Sequence, residues 1–166
     1  RYLERRLGFR LTVVPVDGRG RVGVDDLLAA VRDDTALVHL QWGNHEVGTT
    51  QPVAEAVAAC REQGVLVHVD AAQALGHVPL AFRALGADLV SVSAHKLGGP
   101  PGIGALLVRQ GLRLPPLLVG GDQERARRAG MENVPAIVGF GVACAAVDVE
   151  AEASELGSTA DEQKKT

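Results

Sequence analysis

The chain has 166 residues, 46 % hydrophobic and 22 % charged, the proportions of one globular domain with a core of useful size. Its 17 basic and 20 acidic residues leave a net charge of −3, so no overall basic field favours nucleic acid or an anionic membrane as partner. No apolar run reaches the roughly 18 residues that a bilayer span needs, and Cys60 and Cys144 stand in neither CxxC nor metal-ligand spacing, so no metal is expected.

With no export signal at the start, a cytoplasmic location is the expectation. The only methionine is Met131, and the opening RYLERRLG reads as a helix already under way, so the chain is expected to be a fragment. That helix ends at Gly8, a typical C-terminal stop. FRLTVVPVD, residues 9–17, alternates and is β-rich, which predicts a strand closing at Pro15. VDDLLAAV, residues 24–31, has helical spacing and an acidic first turn. TALVHLQW, residues 35–42, is the next strand, and the polar loop GNHEVGTTQP follows it. VAEAVAACREQG, residues 53–64, is a short amphipathic helix stopped by Gly64. VLVHVD, residues 65–70, is nearly continuous in apolar character, which predicts burial on both faces.

After a short link through LAFRALGA comes the strand LVSVSAHK. GIGALLVRQ is a further strand, antiparallel to its predecessor because only LGGPP separates the two. RLPPLLVGG is extended and limited by proline, and a charged loop then leads into an Ala-rich helix. Residues 148–166 are expected to be a helix end and a polar, frayed tail. Strands alternating with helices predict an α/β fold of three layers, a mostly parallel sheet with helices on both faces. Ligands of such sheets gather beyond the carboxyl ends of the strands.

Three strand ends carry polar side chains that packing would not choose: Asn44-His45-Glu46, then Asp70 followed by Gln73, then Ser93, His95 and Lys96. Metal binding is poorly supported, because Lys is no common ligand and no His pair has i, i+4 spacing. A Ser–His–Asp triad lacks the Gly-x-Ser-x-Gly elbow around Ser93. A lysine that forms a Schiff base fits better. Pyridoxal phosphate needs such a lysine, a carboxylate facing its ring nitrogen, and donors for its phosphate. Asp70 can be that carboxylate, and Ser93 and His95 can hold phosphate oxygens while Lys96 reaches the aldehyde carbon. His39, His68 and His77 read as structural, and Trp42 as core filler.

Four segments together resemble the cysteine desulfurases of the class V aminotransferase family, within the fold-type I pyridoxal-phosphate enzymes. They are GNHEVGTTQPV, HVDAAQALGHVPL, VSVSAHKLGGPPGIGALLV and GGDQERARRAGMENVPAIVGFG, in the family's order and spacing. The resemblance implies that Lys96 is the Schiff-base lysine and Asp70 the partner of the pyridine nitrogen. It implies that Gln73 and His45 approach the cofactor's phenolate oxygen, although the family more often has Asn at position 45. Ser93 and His95 match phosphate ligands. Met131 stands where the family usually has Thr, a hydroxyl that meets the neighbouring subunit's phosphate, and methionine offers no such donor.

Residues 1–147 are then a partial cofactor-binding large domain. The resemblance implies L-cysteine as substrate, L-alanine as product and an enzyme persulfide. The sulfur would pass to an acceptor such as an iron–sulfur scaffold protein, and the intact enzyme would be a homodimer. Neither Cys60 nor Cys144 lies in a loop, so neither reads as the persulfide cysteine, and the fragment alone is expected to turn over little. Another class V activity, a selenocysteine lyase or an aminotransferase, and a non-catalytic remnant stay open alternatives.

Overall fold

A computed structural model describes residues 2–147, so the expected tail at 148–166 lies outside the described residues. The elements run in the order α1 (Tyr2–Leu7), α2 (Val24–Ala29), β1 (Leu37–Gln41), α3 (Val53–Glu62), β2 (Leu66–Asp70), α4 (Phe82–Leu85) and β3 (Leu89–Ser93). A 3-10 turn (Ala94–Leu97), β4 (Gly104–Val108), the one-turn α5 (Gln123–Ala126) and α6 (Val134–Ala146) complete them. Within α5, Glu124, Arg125 and Ala126 all have positive φ. No helix among the described residues is long and apolar enough to cross a membrane.

The four strands form one sheet in sequential order, with β1, β2 and β3 parallel and β4 antiparallel to β3. Mostly parallel α/β architecture is therefore as expected, and so is the antiparallel return after LGGPP. Helical connections between parallel strands explain it: α3 links β1 to β2, and α4 links β2 to β3.

Period-two alternation decides which side chains are buried. Val38 and Leu40 of β1, Val67 and Val69 of β2, and Val90 and Val92 of β3 point to one face and join one core cluster. Val53, Ala56, Val57 and Cys60 of α3, spaced i, i+3, i+4, i+7, join the same cluster, as does Leu27 of α2. Val67, Val69 and Val90 are wholly inaccessible, and each such side chain contributes about 1.5–3 kcal/mol by leaving water.

The alternate residues Leu37, His39 and Gln41 are exposed, and Leu66, His68 and Asp70 are only half-buried. The double-sided burial expected of VLVHVD is thus absent among the described residues, because β2 has a core partner on one face only. The strand expected at 9–17 does not form either. Only the isolated bridge Val16↔Val22 occurs there, and Phe9, Leu11 and Val13 are exposed. Among the described residues no neighbouring strand completes a ladder there, and Pro15 offers no donor. Side-chain contacts fix the segment instead: Arg10 pairs with Asp34, and Arg32 Nη1 donates to Thr12 Oγ1 at 2.6 Å.

Asp88 locks the sheet at the edge away from the strands' carboxyl ends. It is 4 % exposed, accepts from the Val67 amide at 2.8 Å through Oδ2, and accepts from Arg109 Nε at 2.6 Å through Oδ1. Its own backbone adds bonds to Val67 O at 3.1 Å and from Arg109 N at 2.8 Å. Asp88→Ala strands the Val67 amide and removes the partner of Arg109. Urea unfolding will show a loss of about 3 kcal/mol; a loss within experimental error would contradict the lock.

Candidate active site

Parallel pairing of β1, β2 and β3 brings their carboxyl ends to one edge of the sheet, where three short segments emerge. The register is Gln41↔Asp70 and Asp70↔Ser91, so these three residues lie side by side on the face opposite the core. Asp70 is the middle member. Its main chain continues the ladder on both sides, with Trp42 N donating to Asp70 O at 2.8 Å and Ala71 N to Ser91 O at 2.9 Å. Its Oδ1 accepts from Ala72 N at 3.0 Å and from Ser91 Oγ at 3.4 Å. Capping the following turn thus engages one carboxylate oxygen and leaves Oδ2 without a hydrogen bond among the described residues.

β3 ends earlier than the sequence implies, at Ser93, and Ala94–Leu97 tighten into the 3-10 turn. Ala94 is buried beneath that turn, while His95 and Lys96 are exposed above it. Glycine is needed behind it. Gly98 has φ 73°, and a Cβ on Gly99 would lie 2.9 Å from the Ala94 carbonyl oxygen. The two glycines of the LGGPP segment therefore serve the geometry of the turn.

Ser93 Oγ and His95 Nδ1 are 2.8 Å apart. Whichever of the two donates, one outward N–H or O–H remains: His95 Nε2–H if the serine donates, the serine hydroxyl if the histidine does. Lys96 makes no hydrogen bond or ion pair among the described residues.

Gln73 sits half-buried in the turn after β2, where Ala74 N and Leu75 N both donate to Ala71 O at 3.0 Å. The loop after β1 meets this turn at Gly43, whose added Cβ would lie 3.6 Å from the Gln73 carbonyl oxygen. His45 is the least integrated of the sequence-derived residues. Its side chain is 59 % exposed, and its Nε2 lies 3.3 Å from Glu46 Oε1. The edge thus gathers Asp70, Gln73, Ser93, His95 and Lys96 on β2, β3 and the turns that follow them, with His45 at its rim. A hollow of about 670 Å³ lies beside the 3-10 turn, between Leu97–Pro100 and Gly139, Val142, Ala143 and Ala146 of α6; Asp70, Gln73 and Lys96 do not line it.

Several residues have structural jobs that their place in the sequence does not assign. Asn44 Oδ1 accepts from Glu46 N at 2.9 Å and Val47 N at 3.3 Å, which shapes the loop that carries His45. Gln51 accepts from Val22 N and donates to Gly20 O, both at 2.8 Å, pinning that loop's base to the segment before α2. Ser91 is recognisable only once the register sets it beside Asp70. His39 and His68 pair for the same reason, with ring centroids 4.7 Å apart and Nδ1 atoms 2.6 Å apart. At that separation one nitrogen donates and the other accepts, so the pair holds one Nδ1 proton.

A family model described as aminotransferase class-V matches residues 1–165. The chain is 48 % identical over 147 residues to a cysteine desulfurase IscS of Methanosarcina thermophila, covering 89 % of this chain and 36 % of that protein. It is 49 % identical over 142 residues to a cysteine desulfurase of Gluconacetobacter diazotrophicus, covering 86 % and 36 %. Among solved structures, a NifS-like protein superposes with a TM-score of 0.83 at 41 % identity, over 99 % of this chain and 44 % of that one. SspA in complex with cysteine superposes with a TM-score of 0.84 at 33 % identity, over 95 % and 47 %. The chain spans about a third of the length of the curated relatives it matches.

Burial and then the neighbouring His39 hold His68 below the ordinary imidazole value of 6.5, and the Asp70 carboxylate opposes them. An unfolded chain takes up a proton at His68 near that pH where the folded chain resists it. Stability is therefore retained above pH 6.5 and declines as the pH falls below it. Urea unfolding at about pH 7.5 and about pH 5.5 should show this decline, and His68→Gln should flatten it. An unchanged pH dependence in His68→Gln would rule the imidazole out as the cause.

Proposed function

We propose a function from one premise: this chain belongs to the aminotransferase class-V family. Members of that family depend on pyridoxal phosphate, and the activity the site supports best is cysteine desulfuration. L-Cysteine is the substrate, L-alanine the carbon product, and the sulfur leaves as a protein-bound persulfide. Supporting that substrate are the relatives named cysteine desulfurases and the similar SspA structure solved with cysteine.

One observation carries the proposal. Asp70 and the Ser93–His95–Lys96 group leave adjacent parallel strands at the same carboxyl edge, with Asp70 Oδ2 and the Lys96 amine both unengaged among the described residues. That donor set matches the cofactor's three recognition needs: an anion for a ring N–H, outward donors for a phosphate, and an amine for an aldehyde. When bound, pyridoxal phosphate supplies an electron sink for cleavage at the amino acid's carbons.

The chain's residues do the rest. Asp70 accepts from the ring nitrogen and keeps its proton in place. Of the Ser93–His95 pair, one member donates to a phosphate oxygen in either tautomer: His95 through Nε2–H when the serine donates to Nδ1, Ser93 through its hydroxyl when the histidine donates. Gln73 and His45 donate toward the phenolate oxygen from the two turns that meet at Gly43. Lys96 holds the cofactor through Nζ and, once released, moves a proton at the same atom.

Cys60 is buried, and burial pushes its thiol pKa up, so it is unsuited to receive sulfur. Cys144 is exposed but lies within α6. The persulfide site is then neither of these, and a sulfur-acceptor protein such as an iron–sulfur scaffold takes the sulfur onward from a homodimeric enzyme.

Adding pyridoxal phosphate to the purified chain should produce a visible absorbance band. Lys96→Ala should abolish it, and Asp70→Ala should weaken binding by roughly tenfold, about 1.4 kcal/mol. A folded sample without any band would overturn the proposal. Sulfide release from L-cysteine by the chain alone should stay near background; robust release that depends on Lys96 would show that Cys60 or Cys144 serves as acceptor after all.

A further inference from the structure

β3 reads Leu-Val-Ser-Val-Ser, and its middle residue, Ser91, sits where a sheet built only for packing would carry a β-branched residue. A half-buried hydroxyl needs a partner. Ser91 finds it across the strand pair: its Oγ donates to Asp70 Oδ1 at 3.4 Å, while its carbonyl oxygen accepts from Ala71 N at 2.9 Å. One residue thus holds both the carboxylate and the main chain immediately after it.

We propose that Ser91 is a positioning residue for Asp70, fixing the carboxylate so that Oδ2 faces the cofactor's ring nitrogen. The inference rests on the cofactor-binding function proposed above. Two donors converge on Oδ1, Ala72 N at 3.0 Å from the turn and Ser91 Oγ from β3. A carboxylate bound at one oxygen from two directions cannot spin freely about its Cβ–Cγ bond, so the other oxygen has a set direction. Neither other neighbour supplies this restraint. Gln41, the register partner on β1, accepts from Asn44 Nδ2 at 3.3 Å and belongs to the loop. His68, two residues back on the same face, is paired with His39. Ser91 is the one side chain hydrogen-bonded to Asp70 among the described residues. Preorganisation of this kind improves binding by lowering the ordering cost, because the acceptor does not have to be immobilised when the ring arrives.

The test uses the whole chain and its affinity for pyridoxal phosphate, read from the visible absorbance on titration. Ser91→Ala should weaken binding about five-fold, the effect of one modest hydrogen bond to a charged acceptor. Ser91→Thr, which keeps the hydroxyl, should restore most of it. In an Asp70→Ala background, Ser91→Ala should add nothing further, since its target is gone. The pH dependence of the bound cofactor's spectrum should also move in Ser91→Ala and return in Ser91→Thr, which a packing role would not produce.

If Ser91→Ala binds as the wild type does while Asp70→Ala loses affinity, the positioning role is wrong and the cofactor site stands. Equal losses from Ser91→Ala with and without Asp70 would mean that Ser91 acts on the fold, and would also overturn the inference. A wild-type chain that binds no pyridoxal phosphate overturns the functional proposal and takes this inference with it.

Discussion

The register of β2 against its two parallel neighbours is the constraint from which the rest follows. Side chains alternate along a strand, so a shift by one residue would send Val67 and Val69 to solvent and Asp70 into the core. Burial of those valines beneath α3 makes the slip costly. The same pairing that hides the valines therefore sets Asp70 beside Ser91, on the side away from α3 and at the carboxyl edge. Stability and site geometry come from one arrangement.

The two edges of the sheet are built for different ends. At one, Asp88 is buried with both oxygens engaged, by the Val67 amide and by Arg109. Nothing there is left over for a ligand. At the other, Asp70 is half-buried with one oxygen engaged, and His95 and Lys96 stand exposed on a tight turn. A carboxylate closed on all sides braces a fold, whereas one with a vacant oxygen at a strand end can meet a ligand. The contrast between Asp88 and Asp70, two aspartates 18 residues apart by their numbers, separates a brace from a candidate site.

Local patterns made much of the fold legible. The helix at Val53–Glu62 follows from its apolar spacing, and β2 and β3 follow from their β-branched runs. The segment at 9–17 shows the limit, because alternation gives a strand its character but not its neighbour. Of the site, Asp70, Ser93, His95 and Lys96 stand out as polar groups at strand ends, where an α/β sheet collects ligands. The end of β3 at Ser93 was harder to see, since Ala-His-Lys-Leu contains no breaker and the stop comes from Gly98 and Gly99 behind it. Ser91 and the His39–His68 pair were invisible for a deeper reason: each contact joins residues more than 20 positions apart, and only pairing of the strands reveals it.

The central claim is that the amine at position 96 meets a pyridine aldehyde anchored by the carboxylate at position 70. Reduction with borohydride after incubation with pyridoxal phosphate, followed by peptide mapping, tests it directly, because reduction makes a lysine–aldehyde link permanent. The account predicts a pyridoxyl group on Lys96 and none above background on Lys164 or Lys165. Label spread evenly over the three lysines, or absent from Lys96, would contradict it.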